Sequence, residues 1–266
     1  FDDVILGGGK GGKSLAMALA KAGHSVALIE KGQIGGTCIN VACIPTKTMV
    51  ASAKLIELAG RADDYGVALT PPAAALAGVI ARKRRVVAAM VDTHWTLFTT
   101  TPNMTFLLGE GVFVGERTIE VTGQDGSARV VRGTRVYINT GSHTTVPPIP
   151  GLDTVDYLTS TSVMELDELP NRLAIIGGGY IALEFAQIFR RLGSEVVVVQ
   201  RGDRFLPNED PDIAGEIRNV LVHDGIEFLD NAETDAVQPG PHGIEVLYSR
   251  DGEQESLHCS HLMVAV

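Results

Sequence analysis

The chain has 266 residues, 45% of them apolar, and a formal net charge of -10, which is length for about two domains and an ordinary share of core-forming residues. The acidic balance offers no electrostatic attraction to nucleic acid or to an anionic membrane, so neither is expected as a partner. No apolar run reaches membrane-spanning length and no charged-then-apolar export signal opens the chain. Three cysteines are also too few for a secreted disulfide scaffold, so a cytoplasmic location is expected.

In chain order, residues 4–6 read as a short buried strand. The glycine turn Gly7, Gly8, Gly9, Lys10, Gly11, Gly12 follows, then a helix over 14–22 ended by Gly23, and a second strand over 25–30. This is the strand-turn-helix pattern of a dinucleotide-binding half. Gly7 permits the tight turn, Gly9 lets backbone approach a pyrophosphate, and Gly12 allows the helix to pack closely on the strand. The pyrophosphate belongs at the helix N-terminus, and Glu30 stands where a carboxylate accepts hydrogen bonds from an adenosine ribose. The span from Gly7 to Ser14 also satisfies GxxxxGK[ST], with Lys13 and Ser14 in the positions of an ATPase P-loop. A second copy of the pattern argues against that reading, because it carries Leu183 and Glu184 at the corresponding places. Those residues cannot hold phosphate and magnesium.

Residues 35–47 read GGTCINVACIPTK. On an ideal helix, five positions carry Cys43 about 7.5 Å along the axis from Cys38 and rotate it away, too far for a relaxed disulfide. A Cys38–Cys43 bridge therefore needs a distorted turn, and a short, strained, accessible bridge is a reducible one. The competing readings are two buried unpaired cysteines or half of a metal site, although zinc would need two further ligands at suitable spacing.

A helix is expected over 47–58 and another over 73–97, the latter around the basic cluster Arg82 to Arg85, read as one solvated turn. Residues 105–114, 118–122 and 128–132 form a β-meander, and 136–140 another strand. The proline-rich stretch 146–151 is a stiff crossover, with the domain boundary at 150/151. The second copy of the fingerprint has its strand at 173–176, its turn at Gly177, Gly178, Gly179, Tyr180, Ile181 and Ala182, its helix at 183–191 and its next strand at 195–199. The offset from Gly7 to Glu30 equals that from Gly177 to Gln200. His258, Cys259 and His261 are taken to lie on one strand, where alternation keeps them from converging on a metal. The chain opens at Phe1 and stops in the strand-like run 262–266, so a piece of a longer protein is expected.

Together these motifs resemble the class I pyridine nucleotide-disulfide oxidoreductases, the FAD-containing disulfide reductases with two dinucleotide sites. GGTCINVACIPTK is similar to their GGTCxNxGCxPSK segment, and CIPTKT with VPPIPG resembles most the mercuric-reductase-like and reactive-chlorine-resistance branch. The resemblance implies an α/β fold of two Rossmann-like three-layer dinucleotide-binding domains, with the β-meander in the first. It implies that residues 1–150 bind FAD and that 151–266 bind NAD(P)H as an incomplete domain, with a second FAD motif and a dimerisation domain beyond Val266. It also implies a homodimer in full-length form.

Carried over by position, Cys43 is the thiol beside the flavin and Cys38 the outer thiol that exchanges with substrate. Lys47 stands near the flavin, Glu184 pairs with it, and Tyr180 covers the flavin until nicotinamide arrives. Gly36, Thr37, Gly111, Thr140, Gly141 and Ser142 complete the FAD contacts, and Gly177, Gly179 and Ala182 form the nicotinamide-dinucleotide turn. A thiolate near a helix N-terminus and a lysine is expected to have a lowered pKa. Gln200 followed by Arg201 and Arg204, in place of an acid, points to NADPH, with NADH as the alternative. The implied activity moves electrons from NAD(P)H through FAD to Cys38–Cys43, and on to a disulfide, a small oxidant or a soft metal ion. The alternative is a catalytically inert dinucleotide-binding module. Ala42 replaces the family glycine inside the cysteine loop, and Thr46 replaces serine.

Overall fold

Short buried apolar runs and glycine turns lay down the same module twice. β1 (Asp3–Leu6) is buried along its whole length and leads through Gly7 into α1 (Lys10–Lys21) and then β2 (Val26–Glu30). The structure, a computed structural model, describes residues 1–70, 73, 75–241 and 243–266. The chain divides into two compact units, residues 1–46 with 83–143, and residues 47–82 with 144–266.

In the first unit, β1 and β2 are joined by α2 (Thr37–Asn40), the start of α3 (Cys43–Gly60), most of α4 (Leu76–Thr100), β3 (Met104–Gly115), β4 (Thr118–Gly123), β5 (Ala128–Arg132) and β6 (Arg135–Ile138). The sheet order is β5-β4-β3-β2-β1-β6. β6, β1, β2 and the first half of β3 run parallel, and the second half of β3 turns into the antiparallel meander with β4 and β5. Alternation along β1 decides the layers. Ile5 faces the helices with Ala16, Leu28 and Phe98, whereas Val4 and Leu6 face the meander with Ile119 and Val121.

The second unit holds the rest of α3, the first turns of α4, β7 (Tyr157–Leu158), β8 (Arg172–Ile176), α5 (Tyr180–Leu192), β9 (Glu195–Val199), α6 (Pro211–His223) and β10 (Glu227–Leu229). It continues with β11 (Glu233–Gly240), β12 (Gly243–Arg250), β13 (Glu253–Cys259) and β14 (His261–Val264). A parallel sheet in the order β10-β9-β8-β14-β7 is covered on one face by α5 and α6 and on the other by the antiparallel ribbon β11-β12-β13. Gly193, at φ +116°, ends α5 with its N–H bonded back to Phe189 and Arg190.

Both fingerprint helices begin earlier than expected, at Lys10 and Tyr180, directly after the third glycine. The N–H groups of the turn are thus already those of a helix N-terminus. Three further expectations are corrected. Arg82, Arg84 and Arg85 are exposed, as a solvated turn requires, but Lys83 is only 2% exposed and Arg82 donates to the Thr48 carbonyl at 2.8 Å, so the expectation fails at Lys83. Helical spacing puts residue 83 in line with the buried Leu76, Val79 and Ile80. Chain division falls between His143 and Thr144, and the proline-rich stretch belongs to the second unit, where Pro150 O accepts from Val237 N and Ile149 packs on the core. His258, Cys259 and His261 do not share one strand, since β13 ends at Cys259 and β14 starts at His261. Of the predicted helix 73–97, position 74 lies outside the described residues.

Candidate functional site

In the first unit, the C-terminal ends of β1, β2 and β6 open into a cleft of about 720 Å3 whose walls include Gly9, Glu30, Gly36, Cys38 and Thr140. The backbone explains the glycines. Gly7 has φ +107°, and a Cβ there would sit 2.1 Å from the Asn139 carbonyl oxygen; a Cβ on Gly12 would sit 2.1 Å from the Gly7 oxygen. No side chain fits either place. Glu30 is 8% exposed, and its carboxylate accepts from Gly8 N at 2.7 Å, Gly32 N at 2.9 Å and Gln33 N at 3.1 Å. Since a carboxylate has about four acceptor positions, roughly one remains for a ribose hydroxyl. Glycine crowding, a helix N-terminus and a buried acceptor at the strand end fit a dinucleotide, and Gly9, Gly36, Thr37, Thr140 and Gly141 share the cleft wall with Glu30.

Of the expected residues, Gly7, Gly12, Lys47, Gly111 and Ser142 are not on the wall of this cleft. Ser142 is exposed and does not line this cleft. Gly111 lies in β3 opposite Val121, and a Cβ there would meet Leu6 at 2.6 Å, so its missing side chain has a packing reason. Asn139, Lys10 and Lys31 line the cleft unforeseen. Asn139 Nδ2 donates to Gly7 O at 3.1 Å and so braces the turn. Its only signal in the sequence is its place before Thr140 and Gly141.

Helix geometry forbade two facing thiols on one continuous helix, and the chain breaks at that place. α2 ends at Asn40 and α3 begins at Cys43, with Val41 at φ -139° between them. Thr46 N and Oγ1 both bond Ala42 O, at 3.0 and 2.6 Å. Ala42 does not have positive φ, so the methyl replacing the family hydrogen costs no backbone strain. Cys38 and Cys43 are free thiols, half-buried and exposed respectively, and Cys43 neighbours Cys38 closely enough to affect its ionisation. Burial, and then the neighbouring Cys43, push the Cys38 thiol up, against a smaller opposing pull from Lys10. At Cys38 desolvation thus outweighs the cation.

The P-loop reading is contradicted by Lys13, whose Nζ donates to His94 Nε2 at 2.9 Å, and by its absence from the cleft wall. His94 Nδ1 in turn donates to Met90 O at 2.7 Å, which leaves Nε2 as the acceptor.

The second unit repeats the device. Gly177 has φ +108° and a Cβ there would meet the Ala265 oxygen at 2.5 Å, while Ala182 is fully buried against the sheet. Gln200 occupies the place of Glu30: it is 8% exposed, lies directly under Gly178, and donates through Nε2 to Arg204 O at 2.7 Å. Two adjoining cavities share Gly178, Gly179 and Gly202. One, of about 590 Å3, has Arg201 on its wall; the other, of about 330 Å3, has Gln200 and Arg204. At the head of α5, Lys47 Nζ donates to Glu184 Oε1. Tyr180 donates to the carboxylate of Glu209, a bond that raises the pKa of the phenol. Cys259 is buried and its thiol is pushed up to about 11 by desolvation, which makes it inert. Among the described residues, no three His, Cys, Asp or Glu side chains gather as a metal site, and no helix is long and apolar enough to cross a membrane.

The chain thus carries two glycine-turn modules of the dinucleotide-binding kind and, in the first unit, a pair of thiols. The whole chain, residues 1–266, matches the pyridine nucleotide-disulphide oxidoreductase family, and it belongs to that family. It is 37% identical over 267 residues to a mercuric reductase of Streptomyces lividans, and 36% identical over 269 residues to the probable pyridine nucleotide-disulfide oxidoreductase RclA of Escherichia coli (strain K12). These alignments take in 100% of this chain, and 56% and 54% of those proteins. A solved Cu(II) complex of the HOCl-induced flavoprotein disulfide reductase RclA from Escherichia coli superposes with a TM-score of 0.83 at 35% identity, over 100% of this chain and 56% of that one. The chain spans about half the length of the curated relatives it matches. These likenesses agree with the branch that residues 35–47 resemble.

Proposed function

We propose that this chain is the dinucleotide-binding part of an FAD-dependent NAD(P)H oxidoreductase that passes two electrons to the Cys38–Cys43 pair and on to a disulfide, a small oxidant or a soft metal ion. The observation that carries this reading is Cys38 on the wall of the Glu30 cleft, with Cys43 as its thiol neighbour across a break between two helices. FAD, when bound, supplies the two-electron carrier between a nicotinamide and a thiol pair. The residues of the chain do the rest. Gly7, Gly9 and Gly12 clear the path for a pyrophosphate, and the N-terminus of α1 favours its charge. Glu30 fixes the ribose. Lys47 and Glu184 hold a charge pair that tunes the flavin environment, and Tyr180, tethered to Glu209, acts as the movable cover of the nicotinamide site. Cys43 serves as the thiol next to the flavin and Cys38 as the exchanging thiol.

Arg201 and Arg204 on neighbouring cavity walls, with neutral Gln200 buried where an acid would bind a ribose, favour NADPH over NADH. In this reading residues 1–150 and 151–266 keep their FAD and nicotinamide assignments, allowing for the placement of 47–82 and 144–150 in the second unit, and the full-length protein acts as a cytoplasmic homodimer. Anaerobic NADPH titration of the full-length protein, followed by visible absorbance and thiol counting, tests it. Bleached flavin bands with two new thiols are expected. A colourless protein, or flavin reduction without new thiols, overturns the reading and leaves an inert dinucleotide-binding module.

A further inference from the structure

Gly9 and Gly36 touch backbone to backbone: a Cβ on Gly36 would lie 2.5 Å from Gly9 Cα. That approach sets the starts of α1 and α2 side by side, so Lys10, the first residue of α1, and Cys38, the second of α2, line one cleft wall. The charged and titratable groups around Cys38 can be assigned one by one. Glu30 is committed to three backbone N–H groups. Lys31 is held by Glu110 Oε1 at 2.8 Å. His94, packed under Gly35, is bonded to Lys13. Cys43, on α3, is the thiol neighbour of Cys38 itself. Lys10 is exposed, and among the described residues its ammonium has neither ion pair nor hydrogen bond.

We propose that Lys10 is the counter-ion of the Cys38 thiolate, a positioning residue that sets how fast the outer thiol exchanges with substrate. The proposal rests on the reading of Cys38 as the exchanging thiol. In that exchange, Cys38 Sγ as thiolate attacks one sulfur of a substrate disulfide. The Cys38–substrate bond forms while the substrate S–S bond breaks, and the second sulfur leaves as thiolate. Cys43 thiolate then closes the Cys38–Cys43 bond and releases the remaining substrate sulfur. The substrate gains two electrons and the pair loses them, to be restored from NAD(P)H. A single free cation acts on the first step by raising the thiolate fraction of a thiol that burial pushes the other way.

The test is the pH profile of Cys38 alkylation by iodoacetamide, read on its own peptide by mass spectrometry, in the full-length flavin-loaded protein carrying Cys43→Ser. Lys10→Met is expected to raise the midpoint by about half a unit to one unit, a roughly three- to ten-fold loss of rate below it. Lys10→Arg should restore the parent profile. Lys31→Met should leave it unmoved, because Glu110 already engages that lysine. Should Lys10→Met fail to fold, rising ionic strength must still raise the midpoint of the parent by screening the pair. Coincident Lys10→Met and parent profiles, or a midpoint indifferent to salt, overturn the proposal. Failure of the underlying reading looks different: NADPH then yields no new thiols in the Cys43 protein, whatever the profile of Lys10→Met.

Discussion

The carboxylate of Glu30 accepts the backbone N–H of Gly8 at 2.7 Å in a buried position, so the residue expected to meet a ribose also holds the glycine turn in place. Glu30→Ala orphans that buried donor together with those of Gly32 and Gln33. We expect a loss of about 1–3 kcal/mol in urea unfolding, accompanied by flavin release on dilution. Glu30→Gln, which keeps one acceptor oxygen, should fall between the two.

The two thiols should separate in spectra. Cys43→Ser is expected to retain flavin yet lose the long-wavelength absorbance that appears on partial reduction, whereas Cys38→Ser should keep that band and lose turnover with a disulfide substrate. A Cys43→Ser protein that still shows the band reverses the assignment.

Lys47 and Glu184 form a partly exposed pair, with 66% and 29% of their side-chain surface accessible. Such pairs contribute about 0–1 kcal/mol to stability. Lys47→Met should therefore leave the melting temperature nearly unchanged while slowing flavin reduction by NADPH in stopped-flow absorbance. A large drop in stability with unaltered reduction would make the pair structural.

Arg201→Ala combined with Arg204→Ala should raise KM for NADPH by roughly ten-fold or more, the loss expected from charge-assisted contacts to a 2'-phosphate, with little effect on KM for NADH. Equal effects on both nucleotides would refute the specificity assignment.

Asp3 predicts the acid limb of stability. Its carboxyl is fully buried, and burial pushes it up, but bonds from Arg135 at 2.7 and 2.9 Å and the contact with His24 at 2.7 Å outweigh this and hold it below the usual aspartate range. A group depressed in the folded state stabilises fully above its unfolded pKa and loses that stabilisation as pH falls through the folded one. Urea unfolding from neutral pH downward should show stability declining over that acid window, and Asp3→Asn should flatten the decline.

Much of the fold was legible because the signals were local. Short apolar runs at 4–6 and 173–176, turn glycines and equal offsets to Glu30 and Gln200 describe a strand, a tight turn and a helix within one short stretch, whatever surrounds them. The break between Cys38 and Cys43 was legible for the same reason, since helix geometry alone forbids the two thiols from facing one another. The repeat also runs further than its sequence signal. Asn139 and Ala265 each place a carbonyl against the first turn glycine, through strands that share no motif.

What the sequence determined by itself, then, is the pair of dinucleotide modules and the position of the thiols, because backbone sterics and helix periodicity act over a few residues. The tertiary structure alone decided which like residues do different work. Lys13 is taken by His94, eighty-one positions away; Lys31 is taken by Glu110; Lys10 stays free beside Cys38. Lys83 enters the interior while its neighbours do not, and the Cys38 thiol rises because desolvation exceeds the pull of one lysine. Charge and burial depend on what the rest of the chain brings near, and no local pattern encodes that.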